Sequence, residues 1–270
     1  MRIAYAGRAG AFASLAARKI FEEGELVGYD SFEAAYSAVE TGECDTAVLP
    51  IENSSFGEVG QVTDLMFSGS LYVNTVTEME VVHDLVGVSG GAVSDVKRVV
   101  SHPQALGQCA EYIREMGFET LEYSNTAEAA RLVAESKDKS LAAIASEEAA
   151  EALGLSVLER RINSQTANTT RFAVFSRAKR EYSEKASGVH TVLLFTVKNE
   201  AGALARAVDI IGKYGFNMRT LRSRPMKELL WQYYFYVEAE GNLATAEGQA
   251  MLAELSECCD RLKAVGTYAR

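Results

Sequence analysis

Side chains that could bind or protonate a small acidic molecule are concentrated in three short segments. The first has the sequence Pro-Ile-Glu-Asn-Ser at residues 50–54, directly after a strand-like apolar run, and its candidates are Glu52, Asn53 and Ser54. Polar groups at the carboxyl end of a strand in an open α/β sheet lie where ligands usually bind. The alternative is that Asn53 or Ser54 only caps the following helix, and the spacing supports both interpretations equally.

The second segment, Ser-His-Pro-Gln at residues 101–104, follows another predicted strand. Ser101 and Gln104 match a capping box, so local helix stability could explain the whole motif. The same geometry would direct unpaired backbone amides and the positive end of a helix dipole beyond the strand, where a carboxylate would bind. His102 on its own is more often a structural or surface histidine than a catalyst.

The third segment, Asn-Thr-Thr-Arg-Phe at residues 168–172, lies at the start of a further predicted strand. Arg171 could hold a carboxylate through two parallel hydrogen bonds, and Thr170 could donate a hydrogen bond to a leaving hydroxyl. The alternative is that the threonines only favour strand formation and the arginine is exposed. The functional interpretation requires Thr170 and Arg171 to face one cleft together with the helix that begins near residue 101.

Composition and charge exclude several other kinds of function. A net charge of −10 argues against non-specific nucleic-acid binding, which needs a clustered basic surface. The three histidines and four cysteines form no HExxH or CxxC pattern, so we expect reduced thiols, no metal and no cofactor. Gly7 and Gly10 give only half of a dinucleotide fingerprint. The sequence shows no secretory leader and no long apolar run, which predicts a cytoplasmic protein.

The elements that must position these segments change in character near residue 178. Up to about residue 177, strand-like apolar runs alternate with helical segments, which indicates an α/β domain with a mainly parallel sheet. Residues 178–188 are polar and lack an apolar stripe, so they are predicted to form a linker. From residue 189 to residue 270 the predicted order is βαββαβ, the split ferredoxin-like unit. The sequence therefore predicts two domains.

In combination, the motifs resemble the prephenate dehydratase family over nearly the whole chain. The matching segments are, in chain order, residues 50–54 with Gly57, Asp64 with Leu65, Thr77 with Glu78, residues 101–106 with Gln108 and Cys109, and residues 170–172. Their joint order is more specific than any one motif alone.

The resemblance implies a catalytic domain of two α/β lobes, similar to periplasmic binding proteins, with the active site in the cleft between them. Residues from about 1 to 75 and 160 to 177 would form one lobe, and those from about 76 to 159 the other. The threonine that the family needs for catalysis corresponds to Thr170. The residues implied in substrate binding are Asn53, Ser54, Ser101, His102, Gln104, Asn168, Phe172 and Gly10.

The distal domain resembles the family's ACT domain, which pairs side by side and binds amino acids at the interface. Phenylalanine regulation and a homodimer or homotetramer are therefore implied. Arg222 replaces the usual glutamate of the family, which reverses a charge beside a site for a zwitterion. The residues implied in phenylalanine binding are Gly202, Ala203, Leu204, Asn217, Arg222, Ser223, Arg224 and Pro225.

The activity that the resemblance implies is the loss of carbon dioxide and a ring hydroxyl from prephenate, which gives phenylpyruvate without a metal or redox cofactor. We expect Thr170 to hydrogen-bond the departing hydroxyl, while Glu52 or His102 supplies the proton. The groups expected to hold the two carboxylates are Arg171, the amides at residues 101–104, Asn53 and Ser54.

Three questions stay open at this level. Two hydroxyls usual in the family's N-terminal loop are missing, so the substrate is either prephenate or its amino analogue arogenate. A non-enzymatic sensor of amino acids or carboxylates is the alternative from another class of protein. Because no chorismate mutase segment precedes Met1, a monofunctional enzyme is expected.

Overall fold

The computed structural model describes residues 1–163, 168–226 and 229–269, which fold around three β-sheets. The first elements are β1 (Arg2–Ala6), α1 (Phe12–Ile20), β2 (Glu25–Tyr29), α2 (Phe32–Glu40), β3 (Thr46–Asn53), β4 (Gly57–Glu58), α3 (Gly60–Ser68) and β5 (Tyr72–Glu80). Next come β6 (Asp84–Val88), β7 (Arg98–Ser101), α4 (Pro103–Gln108), α5 (Ala110–Met116), β8 (Glu119–Glu122), α6 (Thr126–Ser136), β9 (Leu141–Ala145), α7 (Glu147–Ala152) and β10 (Leu155–Glu159). The last are β11 (Thr169–Ser176), β12 (Val189–Thr196), α8 (Ala203–Lys213), β13 (Asn217–Pro225), β14 (Tyr233–Glu240), α9 (Ala246–Cys258) and β15 (Arg261–Ala269).

The first two sheets form the two lobes of an α/β unit. The first sheet has the order β2-β1-β3-β11-β5, with β4 paired to β3, and the second has the order β10-β6-β9-β7-β8. Strands β1, β2 and β3 are parallel, as are β7, β8 and β9. In the first sheet β11 runs against both of its neighbours, and in the second β6 does the same. The mainly parallel pattern that the sequence indicated therefore holds, apart from these strands and the short β4.

The chain passes between the two lobes twice, once between β5 and β6 and once between β10 and β11. The first crossing lies later than the predicted boundary near residue 76, because β5 belongs to the first sheet up to Glu80. This strand is difficult to recognise from the sequence, because its second half is polar and most of its side chains are only half-buried.

Helices in both lobes begin at side chains that cap them. Ser31 accepts a hydrogen bond from the backbone N–H of Ala34 at the start of α2, and Asn125 accepts one from that of Glu128 at the start of α6. The helical segment from residue 103 to residue 116 is divided into α4 and α5, because the backbone leaves helical dihedrals at Cys109, whose side chain is buried. In the described ranges, the helices are all too short or too polar to cross a membrane.

The third sheet has the order β13-β14-β12-β15 and includes the predicted βαββαβ succession of elements. One face packs against α8 and α9. The other face shares a hydrophobic core with the first lobe, in which Val73 and Phe175 meet Leu194 and Tyr236. At Gly266 the backbones approach so closely that an added Cβ would lie 2.0 Å from the Val73 carbonyl oxygen, so only glycine fits.

Buried ion pairs cross the same interface. The Arg171 guanidinium binds both carboxylate oxygens of Glu238 at 3.0 and 2.9 Å, and donates to the Tyr268 hydroxyl at 2.7 Å. It also donates to Glu52 at 3.0 Å. Burial alone would raise the pKa of Glu238, but hydrogen bonds from Arg171 and Tyr268 hold that pKa below its usual value.

Two further arginines of β13 reach from the third sheet to the first lobe. Arg222 is paired with Glu52, and Arg224 binds Glu58 at 2.7 Å and Asp64 at 2.9 Å. The third sheet is therefore joined to the first lobe by both packing and charge.

Replacing Glu238 by glutamine should lower the free energy of unfolding by about 3 kcal/mol, because the Arg171 cation would keep its burial and lose its bidentate partner. The wild-type advantage should be complete above the unfolded-state pKa of about 4.3 and should shrink as the pH falls toward the lowered folded-state pKa. Urea unfolding at several pH values measures this. The matched control is Glu254→Gln, which removes an exposed pair with Lys213 and should change stability little.

Candidate active site

A cleft of about 470 Å³ lies between the two lobes. The first lobe contributes the carboxyl end of β3, the start of β11 and the N-terminal end of α1, and the second contributes the N-terminal ends of α4 and α6. Phe12, Phe32 and Phe172 form part of its apolar wall. The polar lining residues are Asn53, His83, His102, Gln104, Gln108, Ser124, Asn125, Thr126, Asn168 and Thr170.

The orientation of the Asn53 amide determines what the Thr170 hydroxyl can do. Asn53 Oδ1 accepts from the backbone N–H groups of Ser55 and Phe56 at 2.9 and 3.1 Å, so Nδ2 must point the other way. Nδ2 then donates to Thr170 Oγ1 at 2.9 Å and to Asn168 Oδ1 at 2.7 Å. Because the Thr170 oxygen accepts this bond, its own hydrogen is available to a ligand in the cleft.

Strand pairing brings these side chains together from distant parts of the sequence. Thr170 is the register partner of Asn53 across the antiparallel pair of β11 and β3. The register shifts between Arg171 and Phe172, which is a bulge of the kind found beside active sites. Ser54 ties the ends of the two strands, because its backbone N–H donates to the Thr169 carbonyl and its hydroxyl accepts from the Thr169 N–H.

The cleft is suited to anions although the described residues that line it include no Lys, Arg, Asp or Glu. His102 caps α4 by accepting from the Gln104 backbone N–H at 3.2 Å, and Asn125 caps α6. The positive ends of these helix dipoles, together with that of α1, open onto the cleft. Among the described residues there is no cluster of three His, Cys, Asp or Glu that could hold a metal ion.

Two predictions for the first and third segments are wrong in their placement. Arg171 and Glu52 do not line the cleft, and instead form the ionic joint with Glu238 and Arg222 on the other face of the first sheet. The physical reason is strand alternation, which sends the side chains of neighbouring residues to opposite faces. Since Thr170 faces the cleft, Arg171 cannot share it, and Glu52 is similarly separated from Asn53.

Three other predicted binding residues stand elsewhere. Ser101 is fully buried and its hydroxyl donates to the Ile144 carbonyl oxygen at 2.6 Å, so it joins β7 to β9 and takes no part in a capping box. Gly10 lies at a contact between the lobes, where an added Cβ would be 3.0 Å from Ala149 Cα. Ser54 acts in the strand joint described above and is not among the cleft-lining residues.

His83 and Gln108 line the cleft and were not predicted as site residues. Gln108 follows Gln104 by four positions, a spacing that places both side chains on one face of α4 and could have indicated it. For His83 we find no comparable signal in the sequence. Its ring packs edge to face on Phe12, and burial lowers its pKa, so the imidazole is neutral.

The residues predicted to bind phenylalanine are not gathered in one place within this chain. Arg222 and Arg224 are bound to carboxylates of the first lobe, and Asn217 donates to Glu240. Leu204 borders a separate cavity of about 370 Å³ beside Trp231. The remaining members of the predicted set are Gly202 and Ala203 at the start of α8 and Ser223 and Pro225 on β13.

The fold and the cleft define a two-lobed α/β protein with a cleft between its lobes and an added βαββαβ unit. A sequence model described as "Prephenate dehydratase" matches residues 3–180. A bifunctional chorismate mutase/prephenate dehydratase of Neisseria gonorrhoeae is 36% identical over 99% of this chain and 74% of its own length.

Solved structures agree over the full chain. A prephenate dehydratase from Arthrobacter aurescens in complex with L-Phe has a TM-score of 0.91 and 27% identity, and the match covers 100% of this chain and 90% of that one. GqqA, described as a novel type of quorum quenching acylase, has a TM-score of 0.91 and 32% identity, with coverage of 100% and 98%. The chain belongs to the prephenate dehydratase family, and the predicted family and fold class are confirmed.

Replacing Asn53 by aspartate should reduce the dehydratase turnover expected from the family about a hundredfold. A carboxylate at this position would accept the hydrogen of the Thr170 hydroxyl, which would then no longer be available to a ligand in the cleft. Steady-state kinetics on the folded variant measures the loss. The control is Asn74→Asp, which alters an amide of the same sheet that binds the Ser176 hydroxyl away from the cleft. Equal activity of both variants would contradict the assigned orientation of Asn53.

Proposed function

We propose that the chain converts prephenate to phenylpyruvate, with release of carbon dioxide and water, in phenylalanine biosynthesis. The observation that carries this proposal is the hydrogen of the Thr170 hydroxyl, which is free to be donated into a cleft with positive helix ends. A substrate with two carboxylates and a leaving hydroxyl matches both features. Family membership supports the same reaction.

The reaction requires the protein to orient the substrate and to provide one proton for the departing hydroxyl. As the bond to the ring carboxylate breaks, its electron pair enters the ring and the ring becomes aromatic. The carbon–oxygen bond to the hydroxyl breaks, and the hydroxyl departs with a proton as water. Thr170 donates a hydrogen bond to that oxygen, and the Asn53 amide supports Thr170 by donating to it.

Of the two candidate proton sources, His102 is the better placed, and it can act only when protonated at Nδ1, which breaks the cap bond from the Gln104 N–H. It lines the cleft, whereas Glu52 is bound to Arg171 and Arg222 on the other face of the sheet. The carboxylates are held by the helix N-termini and by amide donors in place of Arg171. Asn168 accepts a hydrogen bond from the Asn53 amide at the edge of the cleft, and Phe172 forms part of the apolar wall.

We propose that prephenate is preferred over arogenate. Arogenate carries an ammonium group where prephenate has a ketone, and the described cleft-lining residues include no carboxylate that could pair with it.

An acylase activity, as the description of GqqA would suggest, receives no support from the side chains of this cleft. Thr170 is hydrogen-bonded to an amide and not to a general base. Cys109 is buried, and burial raises the pKa of its thiol to about 12.

Thr170→Ala should lower kcat for prephenate about a hundredfold or more, while Thr170→Ser, which keeps the hydroxyl, should retain most of the activity. Formation of phenylpyruvate, followed by its absorbance in alkali, measures both, and thermal unfolding verifies that each variant is folded. The control is Thr169→Ala, whose side chain lies outside the cleft.

For the wild-type protein, kcat/KM should be about tenfold lower with arogenate than with prephenate. Normal turnover by folded Thr170→Ala would overturn the proposal.

We also propose that the unit from residue 189 is an ACT domain that binds phenylalanine and pairs with a second copy, as a homodimer or homotetramer. The L-Phe complex of the Arthrobacter relative supports the effector. An exposed edge supports the pairing: β13 is the last strand of its sheet, and Leu221, Leu230 and Trp231 are 44%, 89% and 80% exposed.

A cytoplasmic location is supported by four free cysteines.

Light scattering after size exclusion should give twice or four times the mass of the chain, and phenylalanine should change kcat/KM for prephenate. Leu221→Arg, which places a charge on the exposed edge of β13, should shift the mass toward that of one chain without unfolding it. A single-chain mass for the wild type at micromolar concentration would contradict the pairing.

A further inference from the structure

The Gln108 side chain receives two hydrogen bonds on the same oxygen. Asn168 Nδ2 lies 2.9 Å from Gln108 Oε1, and His83 Nε2 lies 2.5 Å from it. The direction of the first bond is determined by the residues before it. Asn53 Nδ2 donates to Asn168 Oδ1, so the Asn168 nitrogen is the atom that faces Gln108.

The polarity of this chain of amides therefore originates in the backbone. The N–H groups of Ser55 and Phe56 orient Asn53, Asn53 orients Asn168, and Asn168 makes Gln108 Oε1 an acceptor. A second neighbour of that oxygen has to be a donor as well. His83 must then carry its hydrogen on Nε2, which leaves Nδ1 as an unprotonated, buried atom without a partner in the described structure.

Neutral His83 fits this arrangement and charged His83 does not. A second proton would put an N–H on Nδ1, where the described structure has no acceptor, and burial lowers the pKa of the ring. Among the residues that the structure describes, the Phe12 ring and the Gln108 amide contact the His83 ring, and neither would stabilise a cation by charge.

The Gln108 nitrogen is left on the side of the amide that faces the cleft. With Oε1 occupied by two donors, Nε2 and its two hydrogens point away from them. Gln108 lines the cleft, and in the described ranges its Nε2 has no protein acceptor and is not a buried atom. We propose that Gln108 Nε2 binds a carboxylate of the substrate and that His83 is a positioning residue which keeps the amide in this orientation.

The two ends of a glutamine amide have the same shape, so only its hydrogen-bond partners decide which end faces the substrate. Without the His83 donor, only the Asn168 bond still holds Oε1, so the orientation with the oxygen toward the cleft becomes less unfavourable and more populated. An oxygen facing a carboxylate removes an attraction and adds a repulsion. This inference rests on the proposed function only in assuming that the cleft holds an anionic acid.

The experiment compares two replacements of His83 that differ in one atom group. His83→Leu removes the donor and keeps the apolar bulk, whereas His83→Gln can again present an N–H near the position of Nε2. With prephenate, His83→Leu should raise KM about tenfold to a hundredfold with a smaller change in kcat, and His83→Gln should recover most of that loss. Tyr112→Phe is the control for disturbance of the second-lobe core, since its buried hydroxyl has no partner among the described residues.

Gln108→Glu adds a test that does not depend on turnover. Its carboxylate should repel the ligand, so binding of the product phenylpyruvate, measured by calorimetry, should weaken by about a hundredfold or more. Wild-type KM in folded His83→Leu, or equal losses in the leucine and glutamine variants at equal thermal stability, would overturn the inference. Absence of prephenate turnover in the wild type would refute the proposed function instead, and the binding measurement would still decide the role of Gln108.

Discussion

The active site depends on the direction of one amide. Two backbone N–H groups donate to Oδ1 of Asn53, so its Nδ2 points the other way and donates to Thr170 and Asn168. A hydroxyl that accepts one hydrogen bond donates its own hydrogen elsewhere, and the cleft is what remains open to it. The turn at residues 54–56 thus determines the chemistry of a side chain more than a hundred positions away along the chain, because β11 returns beside β3.

Two neighbouring residues, Thr170 and Arg171, lie on opposite faces of the first sheet and have different functions. Thr170 faces the cleft, and Arg171 is held on the opposite face by Glu52, Glu238 and Tyr268. Strand β11 is therefore bound to the third sheet at the position directly after Thr170. Arg222 adds a second cation to the same joint through Glu52. Strand β11 and the βαββαβ unit are therefore joined directly by the Arg171–Glu238 ion pair.

Much of the fold followed from the sequence, because alternating apolar runs and capping residues are local signals. The α/β class and the βαββαβ succession were of this kind, whereas the shared site of Asn53 and Thr170 was implied by the family resemblance and depends on the pairing of β11 with β3. The side of a strand that faces a ligand is not a local signal, and the grouping of Thr170 with Arg171 ignored the alternation of side chains. Ser101 shows a related difficulty, because its spacing from Gln104 matched a capping box. In the structure Ser101 is buried and its hydroxyl donates to the Ile144 carbonyl of β9, a contact that no local pattern in the sequence reveals. His83 became recognisable only once the fold had brought it against Gln108.

The most direct measurement of the central claim is a crystal structure of the Thr170→Ala protein with prephenate bound at neutral pH. The account predicts that the ring hydroxyl occupies the space left by the Thr170 side chain, and that a carboxylate lies about 3 Å from Gln108 Nε2 with the helix N-termini around it. A substrate whose hydroxyl points away from residue 170, or whose carboxylate reaches the Arg171 guanidinium on the opposite face, would contradict it.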